Sequence, residues 1–254
     1  MRRVALIPVY NEESTLRAVL ESVCPKVDLL LVVDDGSVDS SLHLAMGYAR
    51  EHRNVEVLRL EKNSGMSAAL REGFTHLAAH VREGRLAPED VLLTLDADGQ
   101  HDSNEIEALC LHLEKAGLDV ALTRRDFALY PAHKRLGNLL MTLWGSLWSG
   151  HRYEDVESGF RAMRLRVLPL LLDYYTGYRY SCAQEIAILT ARLGFRVDNR
   201  FLTAIRLYRS QTGVRDVVLN ASLGFWAFLR WALRFKVAER PAMARRVAPL
   251  ESCR

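Results

Sequence analysis

Short apolar runs alternate with helix-like stretches along the first half of the chain. The runs are rich in branched residues and lack the polar–apolar alternation of a half-exposed strand, which is typical of strands buried on both faces. They cover residues 4–9, 29–33, 55–60 and 91–95, and the intervening and following patterns predict helices over residues 15–23, 41–50, 66–79 and 106–116. This alternation predicts a parallel sheet with right-handed crossovers, in which ligands bind beyond the carboxyl ends of the strands.

Polar residues concentrate in the loops after these four strands, at residues 10–12, 34–37, 62–65 and 96–101. The loops contain neither the glycine-rich dinucleotide fingerprint nor a P-loop. They carry carboxylates, which approach a diphosphate only when a divalent cation lies between the like charges. Asp96 and Asp98 are two residues apart, so both face one ion on an extended stretch, and Gln100 offers a further oxygen. These ligands suit Mg²⁺ or Mn²⁺, although the segment is also consistent with a turn and helix-capping acids.

The pattern changes after about Arg124, where the strand–helix alternation fades. Helical patterns cover residues 135–150 and 183–193, a strand-like pattern covers residues 196–201, and a long apolar stretch covers residues 217–235. We expect this half to shape a second substrate site.

Composition narrows the class of protein. The 254 residues, 49% hydrophobic and 26% charged, suit one main globular domain, and a net charge of +3 is too small to indicate a nucleic-acid partner. The four cysteines lack the spacing of a zinc site or a disulfide framework, so we expect them to be reduced in a cytoplasmic protein. Pro8 and the polar residues after it interrupt the first apolar run, which excludes a signal peptide.

Four motifs, in this order along the chain, resemble inverting glycosyltransferase family 2. They are Pro-Val-Tyr-Asn-Glu at 8–12, Val-Asp-Asp-Gly-Ser at 33–37, Asn-Ser-Gly at 63–65 with alanines at 68 and 69, and Leu-Asp-Ala-Asp-Gly-Gln-His at 95–101. Residues 135–138 and 155–161 are further similar to polyprenyl-phosphate sugar synthases, the group that contains dolichyl-phosphate mannose synthase. The resemblance spans about residues 4–215.

The resemblance implies an α/β GT-A fold, with a mostly parallel Rossmann-like sheet flanked by helices and with C-terminal amphipathic or apolar helices. Residues 1–123 would form the nucleotide-sugar half and 124–215 the acceptor half of one domain, followed by an apolar helix and basic tail at 216–254. The implied nucleotide-sugar ligands are Pro8, Tyr10, Glu12, Asp35 and Asp96, and the implied metal ligands are Asp96, Asp98 and Gln100.

Arginines and one aspartate are the candidates on the acceptor side. Guanidinium groups bind a phosphate through paired hydrogen bonds, and the arginines that suit this role are Arg124, Arg125, Arg135, Arg161 and Arg209. Arg135 and Arg161 are the preferred candidates, followed by Arg124 and then Arg209. Asp155 is the candidate catalytic base that the resemblance implies, and orienting Arg161 or capping a helix are its alternatives. A phosphate acceptor is already anionic at neutral pH and depends less on a base.

Tryptophans and basic residues indicate where the protein works. All four tryptophans fall within residues 136–148 and 217–235, and basic residues follow the second stretch. Tryptophan favours the membrane interface, so we expect residues 217–235 to lie on the inner face of the cytoplasmic membrane. A core helix or a dimer-forming helix is the alternative.

The sequence therefore predicts a metal-dependent glycosyltransferase that moves a hexose from a GDP- or UDP-sugar to a polyprenyl phosphate. The alternative is a soluble transferase that uses a hydroxyl acceptor on a saccharide or small molecule.

Overall fold

A central sheet of eight strands organises the protein, which a computed structural model describes over residues 1–127, 130–179, 181–203, 214–237 and 244–246. The strand order is β10-β3-β2-β1-β4-β7-β5-β8. Its members are β1 (Arg3–Val9), β2 (Leu29–Asp34), β3 (Val55–Leu60), β4 (Val91–Thr94), β5 (Val120–Leu122), β7 (Arg161–Arg164), β8 (Val197–Asp198) and β10 (Ala244–Arg246). A separate pair is formed by β6 (Arg124–Arg125) and β9 (Leu202–Thr203).

The first four strands run parallel, as the apolar runs predict. Helices alternate with them: α1 (Leu16–Val23), α2 (Ser41–Glu51), α3 (Met66–Arg82) and, after β4, α4 (Ile106–Lys115). Every predicted strand and helix of this half is confirmed to within three residues at its ends. The carboxyl ends of these four strands therefore lie along one edge of the sheet.

Both faces of the sheet are buried, which explains the continuous apolar runs. Leu6 of β1 packs in one core layer with Phe74 of α3, whereas Ile7 packs in the opposite layer. Gly73 lets α3 approach closely, because a Cβ atom there would lie 2.5 Å from Cδ1 of Leu6. Alternate residues of each strand lie in opposite core layers, so both sets must be apolar.

The second half departs from the alternating plan. β7 inserts antiparallel between β4 and β5, so the sheet becomes mixed at that point. The remaining helices are α5 (Ala132–Ser149), α6 (Val167–Leu172), α7 (Cys182–Arg192) and α8 (Val214–Ala232). The strand-like pattern at residues 196–201 is realised only at β8, which pairs parallel with β5 over two residues. β10 lies within the expected basic tail and pairs antiparallel with β3.

An aromatic cluster joins α5 to α8. The Trp144 indole donates to the carbonyl of Ala221 at 2.8 Å, and the Trp148 ring packs on Phe225 and Phe228 with centroids 4.7 and 5.0 Å apart. Trp144, Trp148 and Trp231 are partly buried, and only Trp226 among the four is exposed. Three of the four tryptophans therefore pack partly inside the protein, and the placement of residues 217–235 on a membrane stays a prediction.

One face of α8 packs against the rest of the protein, as the alternative of a core helix predicts. Arg230 pairs with the fully buried Glu185 of α7 at 2.6 Å. Within the described ranges, no helix is both long and apolar enough to span a bilayer.

Candidate active site

The loops after β1 to β4 are joined to one another by hydrogen bonds in the order of the strands. Asp35, after β2, accepts the backbone N–H groups of Ser64 and Gly65 after β3 at 2.8 and 2.7 Å. Gly36 allows the loop after β2 to lie close to the loop after β3, because its φ is +70° and a Cβ atom would lie 2.6 Å from the Lys62 carbonyl carbon. The sequence predicts Asp35 as a nucleoside ligand, and in the structure both its carboxylate oxygens already hold the neighbouring loop.

The loop after β1 contacts both of its neighbours. Asn11, with φ at 55°, receives the Val38 N–H on its side-chain oxygen and donates its own N–H to Ser37. On the other side, the Thr15 hydroxyl donates to the Ala97 carbonyl at 2.9 Å and contacts the Glu12 carboxylate at 3.1 Å. Glu12 is thereby positioned toward the aspartates that follow β4.

Asp96 lies at the centre of this edge. His101 contacts its Oδ2 atom at 3.0 Å through Nε2, and the His101 ring is almost fully buried. Burial alone would raise the pKa of Asp96, but the hydrogen bond and charge of His101, together with the charges of Arg161 and Arg125, leave that pKa lowered. Gly159 makes room for the carboxylate, because a Cβ atom there would lie 2.4 Å from Asp96 Oδ2.

Asp98 and Glu12 carry uncompensated negative charge. Burial raises the pKa of Asp98 and the charge of Asp96 raises it further. Burial also raises the pKa of Glu12, against a lowering hydrogen bond from Thr15, and the charges of Asp98, Asp39 and Asp96 add to the increase. Carboxylates that repel one another at a half-buried edge suit a divalent cation, whose charge would remove the repulsion.

The remaining predicted ligands on this side differ in exposure. Gln100 contacts Asp98 through its backbone N–H at 3.0 Å and its side-chain amide nitrogen at 2.5 Å. Its carboxamide oxygen is not used in either contact and is the atom that would bind a metal. Tyr10, in the loop after β1, is 41% exposed, whereas Pro8 lies within β1 and is buried. A cleft between α1 and the loop after β4 opens beside Asp96 and Asp98.

Asp155 forms a buried ion pair with Arg125. Its carboxylate is fully buried and accepts Nε and Nη2 of Arg125 at 2.7 and 2.9 Å, and also the backbone N–H groups of Arg125 and Glu157. Asn138 of α5 accepts a further Arg125 hydrogen bond at 2.6 Å. A carboxylate with four donors and no exposure is poorly placed to accept a proton from a substrate. The geometry matches the alternative of an arginine-orienting role, but the arginine is Arg125 rather than Arg161.

The predicted acceptor arginines occupy different environments. Arg161 of β7 is 2% exposed and lies beside the end of β4, where it pairs in register with Thr94. Arg124 forms an ion pair with Glu154, and Arg135 is exposed on the first turn of α5. Arg209 lies outside the described residues. Among Arg124, Arg135 and Arg161, which the structure describes, only Arg161 is close enough to the carboxylate edge to lower the pKa of Asp96.

Three residues that organise the site were not selected from the sequence for these roles. Asn199 uses its whole side chain, accepting the N–H groups of Glu154 and Asp155 and donating to the carbonyls of Leu122 and Thr123. His101 and Gly159 are the others. His101 belongs to the motif at 95–101 and Gly159 to the segment at 155–161, so both were within reach of sequence reasoning. Asn199 carries no local signal.

The assembled site can hold an anionic ligand in two ways. A cation bound by the carboxylates after β4 would attract a diphosphate, and the buried guanidinium groups of Arg125 and Arg161 can bind a second anion directly. The arrangement therefore suits transfer between two phosphate-bearing substrates.

Comparisons with known proteins agree with this geometry. Residues 4–178 match the family model described as "Glycosyl transferase family 2". The undecaprenyl-phosphate mannosyltransferase of Micrococcus luteus is 29% identical over 204 residues, covering 78% of this chain and 81% of that protein. The UDP-N-acetylglucosamine–dolichyl-phosphate N-acetylglucosaminyltransferase of Methanococcus voltae is 24% identical over 243 residues, covering 89% and 92%.

A solved structure shows the same fold. Glucosyl-3-phosphoglycerate synthase from Mycobacterium tuberculosis, in complex with Mn²⁺, UDP and glucosyl-3-phosphoglycerate, superposes with a TM-score of 0.66 at 20% identity. The match covers 91% of this chain and 79% of that one. The GT-A fold predicted from the sequence is confirmed.

Proposed function

The chain belongs to glycosyl transferase family 2, and from that membership we propose that it moves a hexosyl unit from a GDP- or UDP-sugar to a polyprenyl phosphate. One observation carries the proposal: the carboxylates Glu12, Asp96 and Asp98 converge at the sheet edge beside the buried Arg161. The first set suits a cation-bound donor diphosphate, and the arginine suits an acceptor phosphate. The named relatives act on lipid phosphates, which supports the choice of acceptor.

The donor lies, in this proposal, along the loops after β1 to β4. Tyr10 and Asp35 border the nucleoside, and Asp96, Asp98 and Gln100 hold Mg²⁺ or Mn²⁺ on the diphosphate. When bound, the metal neutralises the charge that develops on the departing diphosphate. The Mn²⁺ and UDP in the solved neighbour support this assignment. His101 keeps Asp96 ionised and oriented, which is the role of groups one step behind a metal ligand.

The acceptor phosphate binds opposite the donor. One of its oxygens attacks the anomeric carbon while the bond from that carbon to the diphosphate breaks. The configuration at the anomeric carbon is inverted, and the nucleoside diphosphate leaves. Arg161 and Arg125 bind the acceptor phosphate, and Asp155 and Asn138 fix the Arg125 fork in place. A dianionic phosphate needs no proton removed, so Asp155 serves as a positioning residue.

An apolar stripe on α5 supports a membrane-bound acceptor. Five leucines recur at helical spacing and are each 53–62% exposed: Leu136, Leu139, Leu140, Leu143 and Leu147. The same helix carries Asn138, which contacts Arg125 in the site. A helix with one apolar face outward and one polar end at the active site suits a peripheral protein at a lipid surface. We propose that this stripe rests on the membrane that contains the polyprenyl phosphate.

The test is release of nucleoside diphosphate from GDP- and UDP-sugars with Mn²⁺, with and without a short polyprenyl phosphate. Release that requires the lipid phosphate is the expected result. Release that requires a hydroxyl acceptor instead, such as phosphoglyceric acid or a saccharide, would replace this function with the soluble alternative. The solved neighbour in complex with phosphoglyceric acid makes that compound the first hydroxyl acceptor to include.

A further inference from the structure

Three side chains that bind transition metals meet at the edge of the sheet opposite the active site. Glu56 lies near the start of β3, on the same face as Leu58 and Leu60, which pack in the core layer beneath α3. A glutamate therefore occupies a position where the strand pattern calls for an apolar residue. Glu56 lies about 13 Å along the strand from Leu60, which leads into the active-site loops.

Two histidines of α3 face Glu56. His76 and His80 are one helical turn apart, so their side chains project from the same face, and their ring centroids are 4.3 Å apart. The Nε2 atom of His76 lies 2.8 Å from Glu56 Oε2, and the Nε2 atom of His80 lies 3.8 Å from the same oxygen. The first distance is a hydrogen bond, and the second is too long for one.

His80 is the feature that a structural ion pair does not explain. The residue is 3% exposed, and its Nε2 atom has no hydrogen-bond partner within the described part of the chain. A buried polar atom without a partner is unfavourable, so such an atom points to a ligand that binds there.

We propose that Glu56, His76 and His80 form a second metal site, specific for a zinc-class transition metal ion. Their ligand atoms already lie within 4.8 Å of one another. Tetrahedral Zn²⁺ with bonds of about 2.0–2.1 Å places its ligands roughly 3.3 Å apart, so small side-chain rotations complete the site. Two imidazoles and one carboxylate select Zn²⁺, Co²⁺ or Ni²⁺ over Mg²⁺.

The site is accessible and has room for a fourth ligand. The side chains of His76 and Glu56 are 21% and 14% exposed, which opens a path from solvent, and a water molecule completes the coordination. Histidine and carboxylate ligands bind a metal in their deprotonated forms, so uptake weakens as the pH falls. The bound ion joins α3 to β3 far from the carboxylate edge, and it stabilises the fold without taking part in sugar transfer. The inference is independent of the proposed function.

The experiment is a titration of the chelator-treated full chain with Co²⁺ and Zn²⁺, in the unaltered protein and in Asp98→Asn. The second protein lacks one predicted ligand of the catalytic metal. The expected result is one equivalent of Co²⁺ with the intense visible absorption of a four-coordinate ion in both proteins, displaced by Zn²⁺. Addition of Zn²⁺ should also raise the Tm of both.

Variants of the partly exposed ligands keep the test independent of folding defects at the buried His80. His76→Gln and Glu56→Gln should each weaken Zn²⁺ binding by more than about tenfold and abolish the Tm increase, because one of three ligands is lost. His43→Gln, an exposed histidine on α2, should bind as the unaltered protein does. Equal binding in His76→Gln, or loss of the absorbing Co²⁺ only in Asp98→Asn, overturns the proposal.

Discussion

The two walls of the active site are built by different means. The carboxylate wall, which contains Glu12, Asp35, Asp96 and Asp98, comes from the loops after the parallel strands β1, β2 and β4. Hydrogen bonds join these loops to their neighbours, such as those that the backbone N–H groups of Ser64 and Gly65 donate to Asp35. The arginine wall comes from β6, β7 and the segment before β7. It depends on Asn199, which is distant in sequence and connects the ends of two loops.

The walls also differ in electrostatic balance. In the arginine wall, the charges of Asp155 and Arg125 compensate each other. In the carboxylate wall, burial raises the pKa of Asp98 and of Glu12, and the charges of neighbouring carboxylates raise both pKa values further. A structure that accepts this repulsion sacrifices stability for a site, which is typical of functional regions. The carboxylate wall is therefore the more sensitive of the two to a bound cation.

Asp98→Asn should produce the largest effect. Loss of a metal ligand removes stabilisation of the leaving diphosphate, and we expect kcat/KM for nucleoside diphosphate release to fall about 10³-fold. Asp102→Asn is the matched control, because Asp102 caps the next helical turn through Asn104 and asparagine caps equally well. Activity of Asp98→Asn within a few-fold of the unaltered protein would remove Asp98 from the metal site.

The same variant should not lose stability. The pKa of Asp98 is raised in the folded protein, so between its unfolded value of about 3.9 and the folded value the native state holds the extra proton. Stability therefore falls as pH rises through that window and stays lower above it. At neutral pH without divalent ions, we expect Asp98→Asn to have an equal or higher Tm. Mn²⁺ should raise the Tm of the unaltered protein more than that of the variant.

Arg125→Lys tests the arginine wall and should have the next largest effect. Lysine cannot reproduce the fork to Asp155, and we expect kcat/KM for the acceptor to fall about 10²-fold. Arg200→Lys, at a 76% exposed arginine paired with Asp198, is the control and should change little.

Asp155→Asn separates the two roles of that aspartate. A positioning role predicts a higher KM for the acceptor with an unchanged pH profile. A catalytic base predicts a loss in kcat together with the disappearance of the acidic limb of the profile. Measurement of the pH dependence of kcat and of kcat/KM decides between them.

Gly159→Ala tests the contact between the walls. The added Cβ atom would lie 2.4 Å from Asp96 Oδ2, so the carboxylate must move away from the position that His101 maintains. We expect the apparent Mn²⁺ affinity and the activity to fall by roughly one order of magnitude. Gly47→Ala is the control, since nothing lies within 4 Å of a Cβ atom there. An unchanged Mn²⁺ dependence would show that Asp96 does not hold the metal.

The smallest expected effect concerns the membrane. Replacing Leu139 and Leu143 with glutamine removes apolar area from the α5 stripe, and sedimentation with anionic vesicles should fall about three- to tenfold. Activity on a short, soluble polyprenyl phosphate should remain the same. Leu111→Gln, at an exposed leucine on α4, should bind vesicles normally. Unchanged sedimentation of the double variant would refute the docking of this stripe.

The local sequence pattern was sufficient to predict the carboxylate wall. The apolar runs at residues 4–9, 29–33, 55–60 and 91–95 each became a parallel strand, and their polar loops met at one edge. This works because the carboxyl ends of parallel strands share an edge of the sheet. The motifs in those loops also indicated glycosyl transferase family 2, and the match of residues 4–178 to the family model confirms that membership.

Only the tertiary structure decided the second wall and the surfaces. The sequence offered five arginines and favoured Arg135 and Arg161 among them, and the antiparallel insertion of β7 between β4 and β5 brought Arg161 beside Asp96. The tertiary structure likewise paired Arg125 with Asp155, partly buried three of the four tryptophans and left the α5 leucines exposed. A strand or loop signal depends on neighbours in the chain, whereas the partner of a charge and the side of a helix that is covered depend on packing between distant segments.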